Sequence, residues 1–206
     1  MKTVLYYYLP AGEAKNAVDC GLKLSNWHTR EVYFDGMQRQ CLVAYLNPKD
    51  DMGKFNNSDL VCVKVEIDER QCFVGDGFLY NLSESSSELT DLYINTLMPI
   101  GKYVFGTFRL PECLIFSTLI PGQISMLDRR LDIPVLYDNS EQLYLECFFE
   151  TCKEKYPDFL DASLFLFFRE LAASGDNNIR KIQVSENRFA IYSMNGDTEI
   201  VKLKMR

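Results

Sequence analysis

The first two dozen residues constrain the fold most, because a buried strand leads directly into a helix there. Residues 2–8 are an apolar run with three adjacent tyrosines, which is typical of a strand inside a sheet. From Pro10 onward the apolar residues recur at helical spacing, and Gly21 suits the position just beyond the helix end. Three tyrosines beside a helix-ending glycine are consistent with the opening of a ligand cleft.

Further strands follow, with few helices between them. The clearest is Leu60–Ile67, where apolar residues alternate with polar ones. The other predicted strands are Glu31–Phe34, Gln40–Leu46, Gln71–Val74, Phe78–Leu82, Tyr103–Phe108, Cys113–Leu119 and a last short one near Ser125–Leu127. A helix start signal at Ser83–Ser87 precedes an apolar stripe that continues to Pro99. Between the strands Gln40–Leu46 and Leu60–Ile67, the segment Asn47–Asp59 has the composition of a flexible polar loop.

The character of the chain changes after residue 135. Two helices are predicted at 140–155 and 158–173, and Asn195-Gly196 is a strong signal for a two-residue hairpin. We therefore predict an α+β protein with antiparallel or mixed sheets and few helices, followed by two helices and a terminal β-hairpin. We expect one domain over residues 1–135 and a second region over 136–206, packed on the first or forming a small subdomain.

The second of these helices, residues 158–173, is apolar on nearly all sides. Such a helix is usually buried inside its domain or covered by a partner. A homo-oligomer or a protein partner is therefore one expectation for this chain.

Composition narrows the class of protein. The 206 residues are 47% hydrophobic and 25% charged, as in ordinary globular proteins. The formal net charge of −7 argues against a broad nucleic-acid-binding face and against docking on an anionic membrane. The seven cysteines are odd in number and form no Cys-x-x-Cys pair, as expected of reduced intracellular thiols. With no signal-peptide pattern at the N-terminus, we expect a cytoplasmic protein.

Few residues offer catalytic chemistry. His28 is the only histidine, so a nucleophile–histidine device would have to use it, and no such motif surrounds it. No cysteine or acidic cluster has metal-ligand spacing, so no metal is expected. Glu112 stands out because it directly precedes an apolar strand, where a carboxylate could act as a base or polarise a hydroxyl. Glu66 is a second candidate, since it lies within an apolar strand. For both, a solvated or outward-facing acid is the open alternative.

Six short segments follow one another within residues 3–128: Leu5-Tyr6-Tyr7-Tyr8, Gly21-Leu22-Lys23, Tyr45-Leu46-Asn47, Val63–Asp68, Leu110-Pro111-Glu112 and Ile120–Ile124. In this order they resemble bacterial proteins of the ADP-ribosyltransferase fold. The resemblance implies NAD as a substrate and transfer of ADP-ribose to a macromolecule. It places Tyr45 on the nicotinamide, Tyr7 or Tyr8 at the ribose, and Glu112 at the ribose hydroxyl. Tyr7 departs from the pattern, because the family has His or Arg on the first strand.

Two other functions stay open at this point. The same fold without catalysis would serve as a binding or regulatory protein in a complex, which the tyrosine at position 7 and the apolar helix 158–173 both favour. Hydrolase or nuclease chemistry using the acids and His28 is the third interpretation, and it predicts a metal-dependent activity that is lost in His28→Ala.

Overall fold

The structure is a computed structural model that describes residues 1–83, 86–127, 138–175, 179–185, 188–193 and 200–202. These residues form two compact units, Met1–Cys147 and Phe148–Arg206. Their strands are β1 (Lys2–Pro10), β2 (Arg30–Phe34), β3 (Met37–Tyr45), β4 (Leu60–Asp68), β5 (Cys72–Asp76), β6 (Met98–Pro99), β7 (Pro111–Ile115), β8 (Ile124–Met126), β9 (Ile179–Ser185), β10 (Arg188–Ser193) and β11 (Ile200–Lys202). Their α-helices are α1 (Ala14–Cys20), α2 (Leu24–Trp27), α3 (Met52–Phe55), α4 (Gly77–Ser83), α5 (Ser87–Thr96), α6 (Ser140–Lys155) and α7 (Pro157–Ala173).

A curled antiparallel sheet with few helices dominates the first unit, so the predicted α+β class is confirmed. Its strand order is β6-β5-β7-β3-β1-β4-β8, and β2 pairs with the first half of β3. β1 lies between β3 and β4, and for this reason Leu5–Leu9 is buried on both faces. Alternation along β4 buries Val63, Val65 and Ile67, as the sequence pattern predicts.

The two faces of this sheet carry separate apolar clusters. On one face, Leu5 and Tyr7 pack with residues of α1, including Ala14 and Ala17. On the other face, Val43 and Leu114 pack against α4 and α5. Because successive side chains of a strand point to opposite faces, the helices cover the sheet from both sides. None of the helices that the structure describes is long and apolar enough to cross a membrane.

The chain reverses or ends an element at several positions that the sequence pattern marks. β2 and β3 form a tight hairpin, with Phe34 opposite Met37. Asp35 and Gly36 both have positive φ, 55° and 78°, as the two-residue turn that matches strand twist requires. Gly21 caps α1 with φ of 81°, in agreement with the sequence prediction. The terminal hairpin is present as β10 paired antiparallel with β11, while Asn195-Gly196 lies outside the described residues.

Two predicted strands are wrong. Phe78–Leu82 belongs to helix α4, which begins where the Asp76 carboxylate accepts the backbone N–H of Phe78 at 3.0 Å. Tyr103–Phe108 contains no strand, because Gly106 has φ of 84° and Thr107 N–H bonds the Val104 carbonyl at 3.2 Å in a turn. Apolar composition alone had predicted these strands, and local hydrogen bonds decided against a ladder in each case.

The second unit consists of the end of α6, α7 and the small sheet β11-β10-β9. α7 packs against all three strands and buries Phe165. Its Phe159 and Phe167 keep exposed fractions of 65% and 59%. The predicted helix 158–173 is thus confirmed, and a partner that covers its exposed side stays a prediction.

Candidate functional site

Strand register brings the main predicted site residues together. Glu112 lies in β7 rather than just before it, directly opposite Tyr45 of β3 on one side and Gly75 of β5 on the other. Directly opposed residues of neighbouring strands project to the same face of the sheet. A Cβ added at Gly77 would lie 2.5–2.8 Å from side-chain atoms of Glu112, so the carboxylate occupies space that only a glycine leaves open.

Arg30 holds the Glu112 carboxylate in a two-pronged ion pair. Nη2 of Arg30 donates to Oε1 of Glu112 at 3.0 Å, and Nη1 donates to Oε2. The side chains are 12% and 5% exposed, so the pair is almost removed from water. A fork of this kind fixes the plane of the carboxylate as well as its position.

Two tyrosines hold Arg30 in turn. Its guanidinium carbon lies 3.2 Å from the ring centre of Tyr80, and Nη1 also donates to the Tyr93 hydroxyl at 3.3 Å. Burial by itself would lower the pKa of Arg30, but the bonds and charge of Glu112 raise it, so the guanidinium stays charged. Burial also raises the pKa of the Tyr93 phenol, which therefore remains neutral.

The sequence interpretation missed Arg30, Tyr80 and Tyr93. Arg30 is separated from Glu112 by 82 positions, and Tyr80 falls in a segment predicted to be a strand. No local pattern marks these residues, because an arginine at a strand start and tyrosines on amphipathic helices are common. The pairing of β2, β3 and β7 brings Arg30 to the carboxylate, and the packing of α4 and α5 on the sheet brings the two tyrosines.

A second polar network surrounds the Tyr45 hydroxyl. It donates to Asp51 Oδ2 at 2.9 Å and accepts from Lys54 Nζ at 2.8 Å. Asp51 also caps helix α3, since its Oδ1 accepts the Lys54 backbone N–H at 2.9 Å. The segment Asn47–Asp59, predicted as a loop, therefore contains ordered short helices that carry charged groups to the sheet.

We expect Asp51→Asn to lower the free energy of unfolding at pH 7 by about 1–2 kcal/mol, because the carboxylate loses charge-assisted bonds to Lys54. Burial raises the pKa of Asp51, but the hydrogen bonds from Lys54 and Tyr45 outweigh it and lower the pKa. A lowered folded pKa adds stability above the unfolded value of about 3.9, and that stability is lost as the pH falls through the folded pKa.

Urea unfolding of wild type and Asp51→Asn at pH 7 and pH 3 measures this difference. The gap between the two proteins should narrow at pH 3, and Asp59→Asn, at an exposed acid of the same segment, should match wild type at both values. An equal gap at pH 7 and pH 3 would contradict the assignment of the effect to the Asp51 charge.

Two cavities lie beside the ion pair and the Tyr45 network, and the walls of both include Arg30, Tyr45 and Lys54. The first, which we call the acidic cavity, has a volume of about 390 Å³. Its polar wall consists mainly of Arg30, Tyr45, Asp50, Asp51, Lys54 and Glu112. The second, the tyrosine cavity, has a volume of about 200 Å³. Its wall includes Tyr7, Tyr8, Thr29, Arg30, Tyr45 and Lys54.

The predicted site residues are thus distributed over both cavities. Tyr45 lines both, and Glu112 lines the acidic one. Tyr8 lines the tyrosine cavity, donates its hydroxyl to the Pro48 carbonyl at 2.6 Å, and meets the Tyr45 ring edge-on at 6.2 Å. Tyr7 contributes to the same wall, but its ring packs in the core cluster of the opposite sheet face and its hydroxyl donates to the Trp27 carbonyl at 3.4 Å. Burial raises the pKa of Tyr7 to about 12.

The other candidates lie away from these cavities. Glu66 points outward from β4 and pairs with Lys64 at 3.4 Å, and it lines neither cavity. His28 follows helix α2, lines neither cavity, and keeps a buried Nδ1 without a hydrogen-bond partner. Among the described residues, no three His, Cys, Asp or Glu side chains are grouped so that they could hold a metal ion.

Comparisons with protein-family models, curated proteins and solved structures found no match to this chain.

Proposed function

We propose that this protein binds NAD at the acidic cavity and transfers its ADP-ribose to a macromolecular acceptor. The observation that carries the proposal is the register pair Tyr45–Glu112, which puts the expected nicotinamide-stacking ring and the expected carboxylate in the wall of one cavity. The resemblance assigned those two roles from the sequence alone. The pairing of β3 with β7, which makes the two residues neighbours, supports the roles independently of the resemblance.

Glu112 has the chemistry that this reaction requires. A carboxylate oxygen offers two acceptor lone pairs, so the Arg30 fork leaves one on each oxygen for a ribose hydroxyl. In the reaction, the bond between ribose C1′ and the nicotinamide nitrogen breaks, and its electron pair leaves with neutral nicotinamide. Positive charge then develops on the ribose, and a buried carboxylate stabilises it electrostatically. A nucleophile of the acceptor forms the new bond to C1′ and loses its proton.

The other predicted residues have supporting roles in this scheme. Tyr45 is fixed by Asp51 and Lys54, so its ring is held in one orientation for stacking. Tyr8 presents its ring edge beside it. Tyr7 contributes packing behind the site, since its hydroxyl already donates to Trp27.

Nicotinamide release from NAD, followed by chromatography, tests the proposal on wild type, Glu112→Gln and the matched control Glu66→Gln. We expect Glu112→Gln to reduce the release rate at least about tenfold, because the amide carries no charge to stabilise the ribose. Glu66→Gln should behave as wild type. Circular dichroism establishes that each variant is folded. If Glu112→Gln does not fold, Tyr45→Leu replaces it, with weaker NAD binding as the expected result.

A second candidate function is non-catalytic binding at the same cavity. The ion pair with Arg30 supports this second function, because the guanidinium donates to both oxygens of Glu112, as it would in a purely structural ion pair. Calorimetry with NAD separates the two: binding without nicotinamide release supports the binding protein, and no binding at millimolar NAD rejects the use of NAD altogether.

A further inference from the structure

The two cavities differ in charge although they share part of their walls. The acidic cavity is lined by three acids, Asp50, Asp51 and Glu112, together with Arg30 and Lys54. The tyrosine cavity is lined by the same two cations and by no acidic side chain. A ligand that spans both cavities would therefore place hydrogen-bond donors on one side and negative charge on the other.

Donors remain available to an anion in the tyrosine cavity. The guanidinium of Arg30 has five N–H groups, and its contacts with Glu112 and Tyr93 use the two terminal nitrogens. The ammonium of Lys54 has three, of which two point to Tyr45 and Asp51. Thr29 Oγ1 accepts the backbone N–H of Val43 at 3.0 Å, so its own O–H can donate.

The tyrosine hydroxyls do not compete for this role. Those of Tyr7 and Tyr8 donate to backbone carbonyls, and that of Tyr45 donates to Asp51. Burial raises the pKa of all three phenols, so none adds a negative charge to the wall. The charged side chains of this wall are therefore Arg30 and Lys54, which Glu112 and Asp51 pair from the side of the acidic cavity.

The size of the cavity suits a small anion. Its volume of about 200 Å³ is well above the ~10–15 Å³ that one water molecule needs. A phosphate group fits such a space together with waters. The larger acidic cavity next to it has carboxylates that accept hydrogen bonds from sugar hydroxyls.

We infer that the tyrosine cavity is a phosphate subsite formed by Arg30, Lys54 and Thr29, and that the ligand of this protein is a phosphorylated sugar with its hydroxyls toward Glu112. The sugar in the acidic cavity rests on the proposed function, and the phosphate subsite is measurable without any reaction.

Calorimetry with ADP-ribose and inorganic pyrophosphate tests the subsite. Adenosine, an uncharged nucleoside without phosphate, is the control ligand. We expect ADP-ribose and pyrophosphate to bind more weakly as salt rises from 50 to about 500 mM, because the Debye length shortens. Lys54→Gln should weaken both about tenfold, Lys54→Arg should restore most of the affinity, and Lys49→Gln, at a lysine that lines neither cavity, should bind as wild type.

Three results overturn the subsite. The first is no binding of pyrophosphate and ADP-ribose by wild type, and the second is equal affinities of wild type and Lys54→Gln for ADP-ribose. A Lys54→Gln variant that loses adenosine affinity by the same factor also overturns it, since Lys54 would then act through the Tyr45 network. Failure of the proposed function gives a different pattern, in which ADP-ribose binds in a Lys54-dependent manner but NAD releases no nicotinamide.

Discussion

Replacing Arg30 by methionine is expected to lower the free energy of unfolding by about 3–5 kcal/mol, because it leaves the buried Glu112 carboxylate without its partner. Glu112 is 5% exposed, so water from the cavity replaces the two lost hydrogen bonds only in part. The variant also loses the contact of the guanidinium with the Tyr80 ring and the bond to Tyr93.

A double-mutant cycle in urea separates the pair from its surroundings. The double variant Arg30→Met, Glu112→Leu should regain most of the stability, because it removes both charges and leaves apolar side chains of similar size. Arg109→Met is the matched control: Arg109 pairs with Glu141 in an exposed position, at 50% and 45% exposure, and should lose at most about 1 kcal/mol. A loss for Arg30→Met no larger than that of Arg109→Met would contradict the burial of the pair.

Gly21→Ala is expected to destabilise the protein by about 2–4 kcal/mol, since two costs act at one position. The φ of 81° strains any residue with a Cβ, by about 1–2 kcal/mol. An added Cβ would also approach the Leu119 carbonyl oxygen to less than 3.0 Å and Pro121 Cδ to 3.1 Å. The backbone of Leu119 cannot easily move away from Gly21, because Leu22 and Leu119 form an antiparallel bridge.

Two further glycines make the comparison quantitative. Gly36 has φ of 78° with nothing within 4 Å of an added Cβ, so Gly36→Ala should show the strain alone. Gly12 has open space and no positive φ, so Gly12→Ala should lie within about 0.5 kcal/mol of wild type. Thermal and urea unfolding should rank the losses Gly21 above Gly36 above Gly12. Equal losses at Gly21 and Gly36 would mean that the contact with Leu119 costs nothing.

Residue patterns were sufficient where an interaction is local. Alternation along β4, the helix end at Gly21 and the helical spacing of 140–155 all depend on neighbours a few positions away. The interpretation of Phe78–Leu82 as a strand was wrong, because a short apolar run fits a strand or a helix equally well. Here the local hydrogen bond from the Phe78 backbone N–H to the Asp76 carboxylate favours helix α4.

The candidate site is a different case. Tyr45 and Glu112 were selected from the sequence as separate residues, and only the register of β3 and β7 makes them neighbours. A shift of one strand by one residue against the other would turn only one of the two side chains to the opposite face, and no local pattern specifies the pairing. The two cavities likewise depend on where Asn47–Asp59 lies against the sheet.

The sequence by itself determined the α+β class, the central tyrosine strand with its helix and glycine, and Glu112 as the carboxylate to consider. Tertiary structure alone decided that Arg30 grips this carboxylate from 82 positions away, that Tyr80 and Tyr93 hold Arg30, and that Tyr7 turns to the opposite face. The physical reason is the range of the interactions: periodicity and caps act along the chain, whereas a buried ion pair and its cavities exist only after distant strands have paired.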